Sequence, residues 1–368
     1  MVQGKVKRLF PGGNTARGFF SYYDYILSQE EADRIIVIKG GPGVGKSTLM
    51  KKVAAEMIKK GLDVELMHCS SDPASLDGVV IHKAGTAIID GTKPHIVDPK
   101  NPGAVDEILN LGEFWDHEGV RSNRIKILKC NNEIARFFER AYRYIRAAYE
   151  IYKDSEEIYS HAMDHQKVNK IANNIMDNLF ADDKPGDIRG KWRKMFASAI
   201  TPQGLVNYLQ TVLTTSKIYK IKGLQGTGTE KLLNKIAAAA VECGCDVECY
   251  YCALNPEKLE HVVIPQKDVS FTTANCYHNA DIETFEEINL NEFIDLSMLD
   301  VNESDIEFNN DQFDHLLGRA IETIKKAKEK HDELEQYYVP NMKFDEIHKK
   351  TDEIIKKILK CVEPSFEI

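Results

Sequence analysis

The stretch IIVIKGGPGVGKST (35–48) decides how this chain is read. Ile35 to Ile38 form an apolar β run, Gly40 to Ser47 fit G-x-x-x-x-G-K-[ST], and a helical pattern follows from Thr48 to Ile58. Glycines let backbone N–H groups turn inward around phosphate oxygens, and a helix N-terminus adds partial positive charge. The candidate nucleotide-binding residues are Gly40, Gly41, Pro42, Gly43, Val44, Gly45, Lys46, Ser47 and Thr48. Lys46 is expected to reach the β- and γ-phosphates of ATP, and Ser47 to coordinate Mg²⁺. Lys39 lies outside the motif and reads as structural, as does its counterpart Lys222.

Working outward, the loop belongs to an internal repeat. Residues 35–81 align without gaps on 218–264, with 20 identities in 47 positions, against roughly three from background composition. NLGEFWD (110–116) echoes NLNEFID (289–295), and LFPGGNTARGFFSYYDYIL (9–27) parallels MFASAITPQGLVNYLQTVL (195–213). Ile134, Phe138, Ala141, Ile145, Ala148 and Tyr152 step by four and three, the seam of a long packed helix. Phe313, Leu317, Ala320, Ile324, Ala327 and His331 repeat that seam, and a second helix follows in each half. The expected fold is α/β: a tandem duplication of a P-loop NTPase-type domain, each half with a mostly parallel sheet and a helical hairpin. The first domain spans 1–186, with core 1–119 and hairpin 120–182. The second spans 187–368, with core 187–300 and hairpin 310–368. The turn-rich ADDKPGD (181–187) marks the boundary.

The repeat also sorts the carboxylates. A nucleotide site of this kind needs one at the end of a neighbouring strand to hold Mg²⁺. Asp90, closing Thr86 to Ile89, is the first choice, with Asp72 and Asp77 as alternatives. In the second half the loop reads GLQGTGTEK (223–231): Thr229 replaces Lys46 and Glu230 replaces Ser47, while Thr273 replaces Asp90 and Asn255 replaces Asp72. That half is expected to be degenerate and free of nucleotide, so each chain should bind one. Arg17, in a polar glycine-rich loop, is a candidate γ-phosphate contact whose counterpart is the uncharged Gln203.

Composition excludes other classes. The 368 residues are 43% hydrophobic and 29% charged with a net charge of −9, which argues against a dedicated nucleic-acid binder. No run approaches the roughly 18 apolar residues of a membrane span, and the N-terminal residues lack a secretory pattern. The eight cysteines are expected reduced, in a cytoplasm. Cys243, Cys245, Cys249 and Cys252, with Cys276 and His278, do not have zinc-ribbon spacing and read as buried small hydrophobes. His95 aligns with His278 and reads as structural, with pocket-lining as the alternative. Residues 121–153 are basic and 281–314 acidic. The helix bearing Arg136, Arg140 and Arg143 is therefore read as a solvated face or a contact with the acidic segment.

FPGGNTARGFF, KGGPGVGKST, HCSSDPASLDGVVI, IIDGTKPHIVDP and PGAVDEILNLGEFWD together resemble a family of uncharacterised duplicated P-loop ATPases of anaerobic and spore-forming bacteria. The resemblance spans the chain and implies ATP binding and hydrolysis, without naming a substrate, pathway or partner. The expected function is a Mg²⁺-dependent ATPase or nucleotide-driven switch. The alternatives are a kinase passing the γ-phosphate to a small molecule, and a non-hydrolysing nucleotide sensor. The helical arms are the candidate surface for a protein partner or for self-association.

Overall fold

The computed structural model describes residues 3–94, 96–183, 188–278 and 280–362; His95 and residues 184–187 of the expected boundary lie outside them. The first half opens with β1 (Val6–Leu9) and the hairpin β2 (Gly12–Thr15) and β3 (Gly18–Ser21). Then come β4 (Arg34–Lys39), α1 (Lys46–Lys59), β5 (Val64–Cys69), β6 (Asp72–Ile81), β7 (Thr86–Asp90) and β8 (Asp106–Asn110). The helices α2 (His117–Ser122), α3 (Arg124–His161) and α4 (His165–Phe180) complete it. Among the described residues these strands make a six-stranded mixed sheet in the order β1-β5-β6-β7-β4-β8. Within it β6 runs against its neighbours and the other strands share one direction. β4 is flanked by β7 and β8 and buried along its middle, which explains its unbroken Ile-Ile-Val-Ile. α1 buries Leu49, Met50, Val53, Ala54 and Met57 along one face. It stops where Gly61, at φ +78°, turns the chain so that Leu62 N–H bonds back to the Met57 carbonyl at 3.0 Å.

The second half repeats the plan. Its strands are β9 (Trp192–Met195), β10 (Ser198–Thr201), β11 (Gly204–Asn207), β12 (Lys217–Lys222), β13 (Val247–Tyr251), β14 (Leu259–Ile264), β15 (Val269–Ala274) and β16 (Glu286–Asn289). Its helices are α5 (Leu209–Val212), α6 (Thr229–Glu242), α7 (Leu296–Leu299), α8 (Glu303–Glu335) and α9 (Phe344–Val362). The sheet order, β9-β13-β14-β15-β12-β16, matches the first strand for strand. The α/β expectation stands as two six-stranded mixed sheets. No helix among the described residues is long and apolar enough to cross a membrane.

The halves join around matching positions. Phe10 and Phe196 exchange backbone hydrogen bonds of 2.9 and 3.1 Å. On the flanking strands Lys7 lies 2.7 Å from Glu248 and 3.5 Å from Glu65, and Arg193 lies 2.5 Å from Glu65 and 3.7 Å from Glu248. Burial alone would raise the Glu65 carboxyl, but Arg193, His82 and Lys7 hold it well below the usual range.

The helical hairpins do not rest on their own halves; they are exchanged. α3, 38 residues and therefore about 57 Å long, carries its far end to the second half. There Asp164 N–H bonds the Phe293 carbonyl at 3.0 Å and Asp295 N–H the Ala162 carbonyl at 2.8 Å. α8 runs back alongside it, antiparallel, its register pinned by Lys330–Glu133 at 3.0 Å and Asn309–Asp154 at 2.7 Å. It delivers residues 336–343 to the first half, where Asp116 N–H bonds Asn341 and Lys343 N–H bonds Phe114. α9 then packs Ile347, Ile354, Ile355 and Ile358 into the core that contains the buried face of α1, and α4 packs Val168 and Ala172 into the core that contains α6. The expected α3 and α8 seams face one another, with Ala141, Ile145, Ala148, Leu317, Ala320 and Ile324 in one cluster.

The exchange makes a directional prediction. Ile358→Ala, at a fully buried site, should cost about 3 kcal/mol. Amide exchange should accelerate in Leu49–Met57 of the first half and not in Leu232–Ala240 of the second. Faster exchange confined to α6 would contradict the packing.

Candidate functional site

The first glycine loop joins β4 to α1. Gly43 and Gly45 take φ of +68° and +89°, and in the second half Gly226 and Gly228 take +81° and +90°. These are left-handed conformations that favour glycine, and turns of this kind bend successive N–H groups toward one concavity. Gly45 is the N-cap of α1, so Lys46, Ser47 and Thr48 form its first turn. Lys46 Nζ donates to the carbonyls of Gly41 (2.8 Å) and Gly40 (3.3 Å) and stands 3.6 Å from Asp90 Oδ2. Asp90 closes β7, the strand beside β4, and is only 8% exposed. Its Oδ1 accepts from Thr92 N–H (2.9 Å) and Thr92 Oγ (2.6 Å), which leaves Oδ2 toward the lysine. Ser47 Oγ accepts from Leu76 N–H at 3.0 Å.

The structure thus brings Lys46 and Asp90 together at the loop that carries Ser47. Asp72 is held differently: it accepts from Ser75 Oγ at 2.8 Å and faces Lys328 Nζ at 3.6 Å. Asp77 is buried near Tyr23, whose phenol is pushed well up, first by burial and then by Asp77. Arg17 is a correction to the sequence reading. Its guanidinium pairs with Glu257 of the second half, and among the described contacts it makes none with the first loop. The hairpin that carries it turns toward the opposite half, where Ala16 N–H bonds the Leu254 carbonyl at 3.0 Å. His95 lies outside the described residues. Lys39 bonds the carbonyls of Gly91 (2.9 Å) and Val97 (2.7 Å), and Lys222 pairs with Glu287 at 2.6 Å. Both are structural ties.

Sequence reasoning missed a whole side of the site, because that side comes from the other half. A Cβ on Gly41 would fall 2.8 Å from the Tyr338 ring, and one on Gly43 would fall 2.9 Å from Val339 and 3.1 Å from Glu335. The glycines therefore admit the arm tip as well as shape the turn. One turn earlier on α8, His331 stands 3.6 Å from Glu335. Burial holds His331 below its ordinary value against the pull of Glu335, and the cations of Lys328 and Lys46 act in the same downward direction. The legible signal was the 179-residue offset: Tyr152, Glu156 and Tyr159 of α3 correspond to His331, Glu335 and Tyr338.

Comparison with protein-family models, with curated proteins and with solved structures finds no match to this chain.

The second loop has the same backbone and different contents. Lys258 Nζ donates to Glu156 Oε1 (2.7 Å) and to the Tyr152 hydroxyl (2.9 Å), and the Glu156 backbone presses on Gly226. Burial pushes the Glu230 carboxyl up, the nearby Glu156 adds to this, and Lys258 opposes it.

Two further expectations meet the structure here. Arg136, Arg140 and Arg143 are exposed, a solvated face; the acidic start of α8 lies further along α3, where Asn309 meets Asp154. Cys249, on β13, and Cys252, just past its end, sit in different core clusters. Cys252 has other company: with Glu260 and His278 it forms a group of potential metal ligands among the described residues.

Proposed function

We propose that the chain is a P-loop NTPase that binds Mg²⁺·ATP at the first loop and hydrolyses it, with the second half a non-binding copy. One observation carries the reading: Lys46 and Asp90 meet 3.6 Å apart at a helix N-terminus shaped by two left-handed glycines. The counterpart residues, Thr229 and Thr273, provide neither charge. Backbone N–H groups of residue 41 and residues 43–47 would cradle the phosphates and Lys46 would neutralise them. Ser47 and Asp90 would hold Mg²⁺, which supplies charge neutralisation on the phosphate oxygens.

Contact of Glu335, Tyr338 and Val339 with the loop favours a nucleotide-driven switch over a simple hydrolase. Any movement of the loop on binding phosphate is felt by α8, whose other end contacts the second half. ATP identified on natively purified protein, released by excess unlabelled nucleotide, would support the reading. A purified chain that neither carries nor binds a nucleotide would overturn it.

A second expected result separates the carboxylates. Asp90→Asn keeps the shape and the Thr92 contacts but removes the charge. It should retain nucleotide binding and lower Mg²⁺-dependent phosphate release by about 100-fold. Wild-type turnover in that variant would transfer the role to Asp72, whose Lys328 partner would then be the cation to test.

A further inference from the structure

We propose that Cys252, Glu260 and His278 form a binding site for a borderline-soft divalent cation, Zn²⁺ foremost, in the second half. The thiol, a carboxylate oxygen and an imidazole nitrogen all lie within 4.8 Å of one another. Ligands around a tetrahedral zinc stand roughly 3.3–3.8 Å apart, given bonds of about 2.0–2.3 Å, so small rotations bring the set to a common centre. The three come from different elements: Cys252 follows β13, Glu260 lies on β14 and His278 is in the loop after β15. A cation would pin three strand ends beneath α3 and α8, whose Tyr152 and Phe313 share a cluster with Cys252.

A buried ion pair between Glu260 and His278, 2.8 Å apart, with the Cys252 thiol bonded to the same carboxylate, is the simpler reading. It leaves three things unexplained. Glu260 is 3% exposed, and its second oxygen, Oε2, has no hydrogen-bond partner. His261 Nε2, 4.0 Å from that oxygen, is also buried and unpartnered, its ring fixed by Thr272 Oγ on Nδ1 at 2.8 Å. Buried polar atoms without partners are costly, and two side by side call for a shared one. The third point is the repeat. Cys69, Asp77 and His95 occupy the matching positions in the first half, so a thiol, a carboxylate and an imidazole recur at the same spacing. The second half has lost the loop lysine, the loop serine and the counterpart of Asp90, yet has kept these three chemistries, with Glu for Asp. Retaining the acid and imidazole suits an ion pair as well as ligation; retaining the thiol beside them is what ligation adds. One thiolate and one carboxylate also balance a divalent charge, and the sulfur–nitrogen–oxygen set suits Zn²⁺ over Mg²⁺.

Co²⁺ is the probe, added to the full chain after chelator treatment, without nucleotide or Mg²⁺. A Cys69→Ser background confines the signal to the second half. We expect one equivalent bound, a thiolate-to-cobalt charge-transfer band, and displacement of that band by Zn²⁺. Adding Cys252→Ser should abolish the band. His278→Ala, at the rim of the group, should weaken Co²⁺ binding by tenfold or more with the helical circular dichroism intact. Cys276→Ser, exposed and nearby, should change neither. No band in the Cys69→Ser protein, or an equal band in folded Cys252→Ser and His278→Ala variants, would overturn the assignment and leave the ion pair.

Discussion

Lys46→Ala is expected to lower Mg²⁺-dependent ATP turnover by about 1000-fold or more, with the fold kept. The lysine is the cation at the loop's mouth, bonded to two loop carbonyls and 3.6 Å from Asp90. Removing it withdraws the charge that would meet the β- and γ-phosphates. It also leaves the Asp90 carboxylate, nearly buried, without its positive neighbour, so an incoming polyanion faces repulsion where it had attraction. Both effects act on binding and on the developing charge of the transition state, which is why the loss should exceed that of Asp90→Asn. The fold should survive, because the turn depends on Gly43 and Gly45 and the helix on its buried face, Leu49 to Met57. Phosphate release and nucleotide affinity, measured beside a melting curve, check the expectation. Unchanged affinity and turnover in a folded Lys46→Ala protein would remove the first loop from the mechanism.

How much of this was legible follows from which interactions are local. The loop was readable because strand, glycine spacing, lysine and helix start are adjacent in sequence and each has its own chemical reason. Asp90 was readable through the repeat, since the half that lost the lysine lost that carboxylate too. The arm exchange was not. Periodicity reveals which face of α9 is buried, not which helix receives it, and a duplication offers α1 and α6 as near-equivalent acceptors. The apolar stripe Ile347, Ile354, Ile355 and Ile358 fits either. Arg17 failed for a related reason: its loop is close to the first P-loop in sequence, but its hairpin crosses the junction and meets Leu254 and Glu257 of the second half. Glu260 escaped as a companion of Cys252 and His278 because a search by cysteine spacing cannot see a carboxylate on the adjoining strand.

Each chain is expected to bind one nucleotide, not two, although both loops have the left-handed glycines that shape the cradle. The backbone of the second loop is therefore not the obstacle; its charges are. Thr229 withdraws the attraction of Lys46, and Glu230 brings a carboxylate that repels each phosphate charge by about 4 kcal/mol at 4 Å and an effective dielectric near 20. A cation stands there, Lys258, but it is already engaged. Burial would lower its pKa, yet Tyr152 and Glu156 hold it well above the ordinary value. A phosphate would have to break the Lys258–Glu156 pair, 2.7 Å apart, and leave Glu156 beside Glu230. Isothermal titration with a non-hydrolysable ATP analogue should give a stoichiometry near one, and none measurable in Lys46→Ala. Two equivalents in the unaltered chain, with the second surviving Lys46→Ala, would mean that the pair formed by Lys258 and Glu156 opens for phosphate.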